Sequence, residues 1–121
     1  IPTQYRMLWA HPDYEKTDLS SLEFVVYGGS SVDVEFLKRL AAMAPRFGTG
    51  IGMTESAGFV SFTPHGISVE EMAGQVGHAF PDLAPITSRQ PMNDDGTAGE
   101  ELPDEEMGEI CYEGPIVFLG Y

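Results

Sequence analysis

Two apolar runs, each stopped by glycine, with a helix-like stretch between them decide the architecture of this sequence. Leu22-Glu23-Phe24-Val25-Val26-Tyr27 is short, β-prone and mostly apolar, and it stops at Gly28-Gly29. That pattern predicts a buried strand ending in a tight turn. Ser30 or Ser31 is placed to cap a helix, and Asp33 and Glu35 fall in its first turn, where the helix dipole favours acid. Phe36, Leu37, Leu40, Ala41 and Ala44 recur at helical spacing and mark the buried face. Pro45 ends the helix, because the residue before a proline avoids the α region. Arg46 to Ile51 predicts a second strand, followed by Gly52-Met53-Thr54-Glu55. A strand, crossover helix and strand of this length form a right-handed parallel unit.

That unit fixes where a ligand goes. Open parallel sheets bind ligands outside the carboxyl ends of their strands. Here those ends carry Gly28-Gly29-Ser30-Ser31 and Gly50-Ile51-Gly52-Met53-Thr54-Glu55, two glycine-rich turns on one sheet edge. The Thr54 hydroxyl beside the Glu55 carboxylate suits a phosphate with its magnesium ion. Taken alone, glycine-rich strand ends are more often plain turns.

After Gly58 the helical period fades. Phe59 to Thr63 predicts a strand ended by Pro64, and Val69 to Met72 one helical turn. Further strands are expected at Leu83–Gln90, Gly108–Glu113 and Ile116–Leu119. Asp94-Asp95-Gly96-Thr97 is a turn sequence. Several short strands separated by turns suggest a small barrel or a layer of hairpins. The fold class is therefore α/β: a parallel strand–helix–strand unit, then a β-rich, barrel-like portion. We place the division at residues 1–70 and 71–121.

Charge narrows the function. Six Lys and Arg stand against 19 Asp and Glu in 121 residues, a formal charge of -13. A basic patch for nucleic acid is excluded. Nine acids and no base lie between Asp94 and Glu113; they read as a solvated connection, since Asp94-Asp95-Gly96 lacks the alternating acids of a calcium loop. No apolar run reaches the ~18 residues of a membrane span. Cys111 is the one cysteine, which leaves no intrachain disulfide and fits a cytoplasmic origin. Cys111 reads as a small core residue, and His11, His65 and His78 as loop or surface residues.

The order of the pieces resembles the adenylate-forming, AMP-binding superfamily, in its acyl-CoA synthetase and acid–CoA ligase branch. The residues that carry the resemblance are Gly28-Gly29-Ser30-Ser31, Gly50-Ile51-Gly52-Met53-Thr54-Glu55, Gly74-Gln75-Val76-Gly77, Gly108-Glu109-Ile110 and Gly120-Tyr121. It extends from about Pro2 to Tyr121 and implies an internal fragment of a larger N-terminal domain. The phosphate loop would lie upstream, and the small C-terminal domain with its lysine downstream. The implied reaction joins a carboxylate to the α-phosphate of ATP, then passes the acyl group to CoA. The resemblance implies that Gly29, Ser30 and Ser31 lie along adenine, with Gly50, Ile51 and Gly52 on its other side. It implies phosphate contact by Thr54, magnesium binding by Glu55, and an acyl pocket at Tyr27, Ser56, Ala57 and Gly58. Ile51 stands where most members carry an aromatic residue that stacks on adenine.

The chain by itself is expected to be inactive. It is also expected to self-associate, because Phe24, Val26, Phe36, Leu37 and Ile51 would be left partly open. The alternative is a self-contained small nucleotide- or protein-binding module without catalysis.

Overall fold

The computed structural model describes residues 1–121. Its centre is the expected parallel pair. Strand β1 (Phe24–Tyr27) lies beside β2 (Arg46–Thr49), with Val25 opposite Phe47 and Tyr27 opposite Thr49. Helix α2 (Val34–Ala41) crosses between them and buries Phe36, Leu37 and Leu40. Its cap is Asp33, two residues later than the nearer serine: the Asp33 carboxylate accepts from the Phe36 amide at 2.7 Å. Ser30 and Ser31 stay exposed ahead of the cap.

A helix that the sequence reading did not mark, α1 (Pro2–Trp9), closes this core. The Tyr5 hydroxyl donates to the Val26 carbonyl at 2.6 Å. The rings of Tyr5 and Trp9 stand 6.0 and 4.9 Å from that of Phe36, and the Trp9 indole N–H points at the Met43 sulfur. Phe36 and Leu37, expected to be left open, are therefore covered from within the chain. Phe24, Val26 and Ile51 are half-buried. The core cluster comprises eight residues: Val25, Tyr27, Phe36, Leu37, Leu40, Met43, Ala44 and Met72.

The rest of the chain is built from short antiparallel ladders. Strand β3 (Gly52–Met53) pairs with β4 (Gly58–Phe59). Strand β5 (Ser61–Phe62) follows, and the expected single strand from Phe59 to Thr63 is broken at Val60. The amides of Val60 and Ser61 both reach the Ile51 carbonyl, a two-against-one arrangement that bends the strand as a bulge does. Beyond it the Thr63 amide returns to the Thr49 carbonyl. Helix α3 (Val69–Met72) is the expected single turn, capped reciprocally by Ser68 and Glu71. Strand β6 (His78–Ala79) pairs with β5, and β7 (Ile86–Arg89) with β8 (Glu109–Tyr112).

These ladders remain separate two-stranded pairs and form no closed sheet. Ile116–Leu119 is not a strand. Gly114 has φ +130° and the following Pro115 has no N–H, so the chain turns there, and the Phe118 amide goes to the Glu55 carbonyl. Cys111 lies in β8 but is only half-buried, outside the core. No helix is long and apolar enough to cross a membrane.

Candidate functional site

The carboxyl ends of β1 and β2 enclose a cavity of about 440 Å³ lined by Gly28 to Val32 and Thr49 to Gly52. All six positions expected along adenine (Gly29, Ser30, Ser31, Gly50, Ile51, Gly52) meet there. Tyr27 and Leu37 contribute to the floor, and Gly74, Gln75 and Val76 add a third side. Gly74-Gln75-Val76, a motif of the sequence with no expected place in the site, thus belongs to it. Its own glycine-bounded spacing was the available signal.

Two of the glycines have a folding reason that needs no ligand. A Cβ on Gly50 would lie 2.1 Å from the Ser61 carbonyl oxygen, and one on Gly52 2.2 Å from that of Gly58. The β5 backbone crosses Gly50 and the β4 backbone crosses Gly52 at contact distance, so only glycine fits. The cavity wall is thereby tied to β4 and β5.

Thr54 and Glu55 do not line this cavity. They occupy a single 3-10 turn, Thr54–Ser56, just beyond β3. Ser56 is buried, and its hydroxyl is used inside the turn: it accepts from the Met53 amide at 3.1 Å and donates to the Gly58 carbonyl at 2.6 Å. Ala57 closes the turn in the left-handed region, at φ 54°. The turn thus has a fixed backbone, with the Thr54 hydroxyl and Glu55 carboxylate projecting from it. The Tyr121 hydroxyl donates to Glu55 Oε1 at 2.5 Å. That bond holds the Glu55 carboxyl below the usual carboxylate range and pushes the Tyr121 phenol up. Glu55 is a lone carboxylate, with no cluster of three His, Cys, Asp or Glu side chains to cage a metal.

A second cavity, of about 360 Å³, lies across the Gly28-Gly29 turn and is lined by Ile1, Val26, Tyr27, Met53, Gly58 and Phe59 among others. Of the four positions expected in an acyl pocket, Tyr27 and Gly58 reach it, whereas Ser56 and Ala57 do not. Tyr27 forms part of both cavities, and its burial raises its phenol pKa.

A parallel unit whose glycine-rich carboxyl ends enclose a cavity defines an α/β ligand-binding fold. The chain belongs to the AMP-binding enzyme family, whose family model matches residues 1–121. It is 34% identical to a feruloyl-CoA synthase of Amycolatopsis sp over 123 residues, covering 100% of this chain and 23% of that protein. It is 30% identical to a long-chain-fatty-acid–CoA ligase of Salmonella typhimurium, covering 100% of this chain and 20% of that protein. Among solved structures, the anthranilate CoA ligase AuaEII in complex with anthranoyl-AMP matches 99% of this chain and 21% of its own, at TM-score 0.73 and 22% identity. The luciferase-like enzyme of the mealworm Zophobas morio matches 99% of this chain and 28% of its own, at TM-score 0.75 and 24% identity. The two structures bear on the fold. The chain spans about a fifth of the length of the curated relatives it matches.

Proposed function

We propose that these residues form the nucleotide-site segment of an ATP-dependent acid–CoA ligase, which makes an acyl-adenylate and then a CoA thioester. The cavity at the β1 and β2 ends carries this reading: six residues expected along adenine converge on it from two distant stretches of chain. The relatives, a CoA synthase and a CoA ligase by name, agree with it. In this reading the backbone at Gly29-Ser30-Ser31 and the strand end at Gly50-Ile51-Gly52 hold the adenine between them. Thr54 donates to a phosphate oxygen, and the second cavity takes the carboxylate substrate beside Tyr27 and Gly58. Glu55 suits magnesium, which typically binds through one or two carboxylates and the substrate's own phosphates. Glu55 would hold the ion there, and the chemistry it would supply is neutralisation of charge on the phosphates. Residues 1–70 and 71–121 are two parts of one domain. The β7–β8 ladder contributes to a barrel in the complete protein, and the location is cytoplasmic.

The test is acyl-adenylate formation by the complete protein. Glu55→Gln keeps the side-chain size and removes the charge, and Thr54→Ala removes one phosphate donor. Each lowers the rate strongly, on the order of 10²-fold for one donor in the transition state, with little change in melting temperature. Wild-type rates in Glu55→Gln would remove the metal role. Pyrophosphate exchange by the isolated 121 residues should stay at the blank. Residues such as Ile110 and Leu119 are exposed, and burying a few hundred Å² of apolar surface at ~25 cal/mol per Å² drives association by several kcal/mol. The isolated chain therefore self-associates increasingly as salt screens its charge; light scattering that returned a monomer at high salt would remove this part.

A further inference from the structure

The segment after β8 ends on Glu55. The chain turns at Gly114, where the Val117 amide closes on the Gly114 carbonyl at 3.1 Å. The Phe118 amide then donates to the Glu55 carbonyl at 2.8 Å. Three residues later the Tyr121 hydroxyl reaches Glu55 Oε1, and the Phe118 and Tyr121 rings meet edge to face at 4.8 Å. Glu55 is thus gripped at its main chain and its side chain by one strap, 66 residues away in sequence. No Lys or Arg in the chain pairs with it.

We propose that Tyr121 is a positioning residue that aims the Glu55 carboxylate for the adenylation step. The inference rests on the reading of Glu55 given above. A glutamate side chain has three rotatable bonds, and the Tyr121 hydroxyl restrains the end of this one. A hydroxyl donating to one carboxylate oxygen is a short, charge-assisted bond. It sets the rotation of the carboxylate and leaves the other oxygen to a cation. Outer partners of this kind orient metal ligands, and their loss commonly costs about 10–100-fold in metal affinity or activity. The phenol touches no reacting atom; its effect passes through Glu55.

The test is a double-mutant cycle in the complete protein, read as acyl-adenylate formation against magnesium concentration. Tyr121→Phe lowers the rate about tenfold and raises the magnesium needed for half-maximal rate. The KM for the carboxylate and the melting temperature stay at their wild-type values. Tyr121→Leu matches Tyr121→Phe, because the hydroxyl and not the ring does the work. In a Glu55→Ala background Tyr121→Phe adds no further loss. A Tyr121→Phe enzyme indistinguishable from wild type, beside an impaired Glu55→Gln, overturns this inference and leaves the role of Glu55 standing. So does a Tyr121→Phe loss that persists undiminished in Glu55→Ala. A wild-type rate in Glu55→Gln overturns the underlying reading instead.

Discussion

Residues up to Met72 and residues after it hold themselves together differently. The first region contains the whole core cluster; beyond Met72, Ala84 is the one buried apolar side chain. The charge divides the same way: five Lys and Arg accompany nine Asp and Glu up to Met72, whereas one accompanies ten after it. Where apolar residues repeat at helical and strand spacing, side chains interlock and a core forms. Where they are isolated among acids and turns, the backbone keeps order by ladders and local hydrogen bonds. Asp95 illustrates the second manner, accepting from both the amide and the hydroxyl of Thr97. The site is placed accordingly: both strand ends that form the cavity spring from the packed region, while its third side, Gly74 to Val76, and the strap that reaches Glu55 come from the looser one.

The sharpest way to break this contrast is truncation of a large apolar residue in each region. Leu40 is 0% exposed and Ile110 55%. Leu40→Ala should cost about 2–5 kcal/mol, the range for a cavity in a packed core. Ile110→Ala should change stability by no more than about 0.5 kcal/mol. Urea unfolding of both variants measures the difference, and equal effects would dissolve the contrast.

A smaller effect separates the regions by pH. Burial raises the phenol pKa of Tyr5 and Tyr27 above the ordinary value of 10.0. Their neutral forms are thus favoured by folding, a contribution in full below that value and lost as pH rises through the folded values. Asp95 runs the other way: its carboxyl is held below the ordinary 3.8 by the Thr97 hydroxyl and amide. Its contribution is present above that value and lost as pH falls through the folded one. Base should therefore loosen the α1–β1–α2 core, and acid the 93–97 turn together with the local bonds of Asp18 to Ser20 and of Glu71 to Ser68. Tyrosine absorbance and amide exchange across the two limbs check this; core loosening on the acid limb first would reverse the assignment.

Much of this was legible in the sequence, for stated reasons. The parallel unit could be read because its apolar spacing and its Gly and Pro stops agree with one another. Six cavity residues followed from it, since the ends of parallel strands must share an edge. Helix α1 was not legible: Pro2, Tyr5 and Trp9 turn inward while Met7 and Leu8 stay exposed, so its apolar residues are divided between two faces and its place depends on contact with α2. The cap at Asp33 rather than Ser30 or Ser31 was decided by where the chain leaves the cavity rim. Ile116–Leu119 looked like a strand because it is apolar, yet its backbone is turned by Gly114-Pro115. The Tyr121–Glu55 bond joins residues too far apart for spacing to reveal.

The proposed function requires adenine to bind in the cavity between Gly28–Val32 and Thr49–Gly52. Photolabelling the complete protein with an azidoadenine analogue of ATP, followed by peptide mapping, tests this directly. The account predicts adenine-directed label within residues 27–32 and 49–52, lost when unlabelled ATP competes. Competed label that maps wholly outside those two stretches would contradict it.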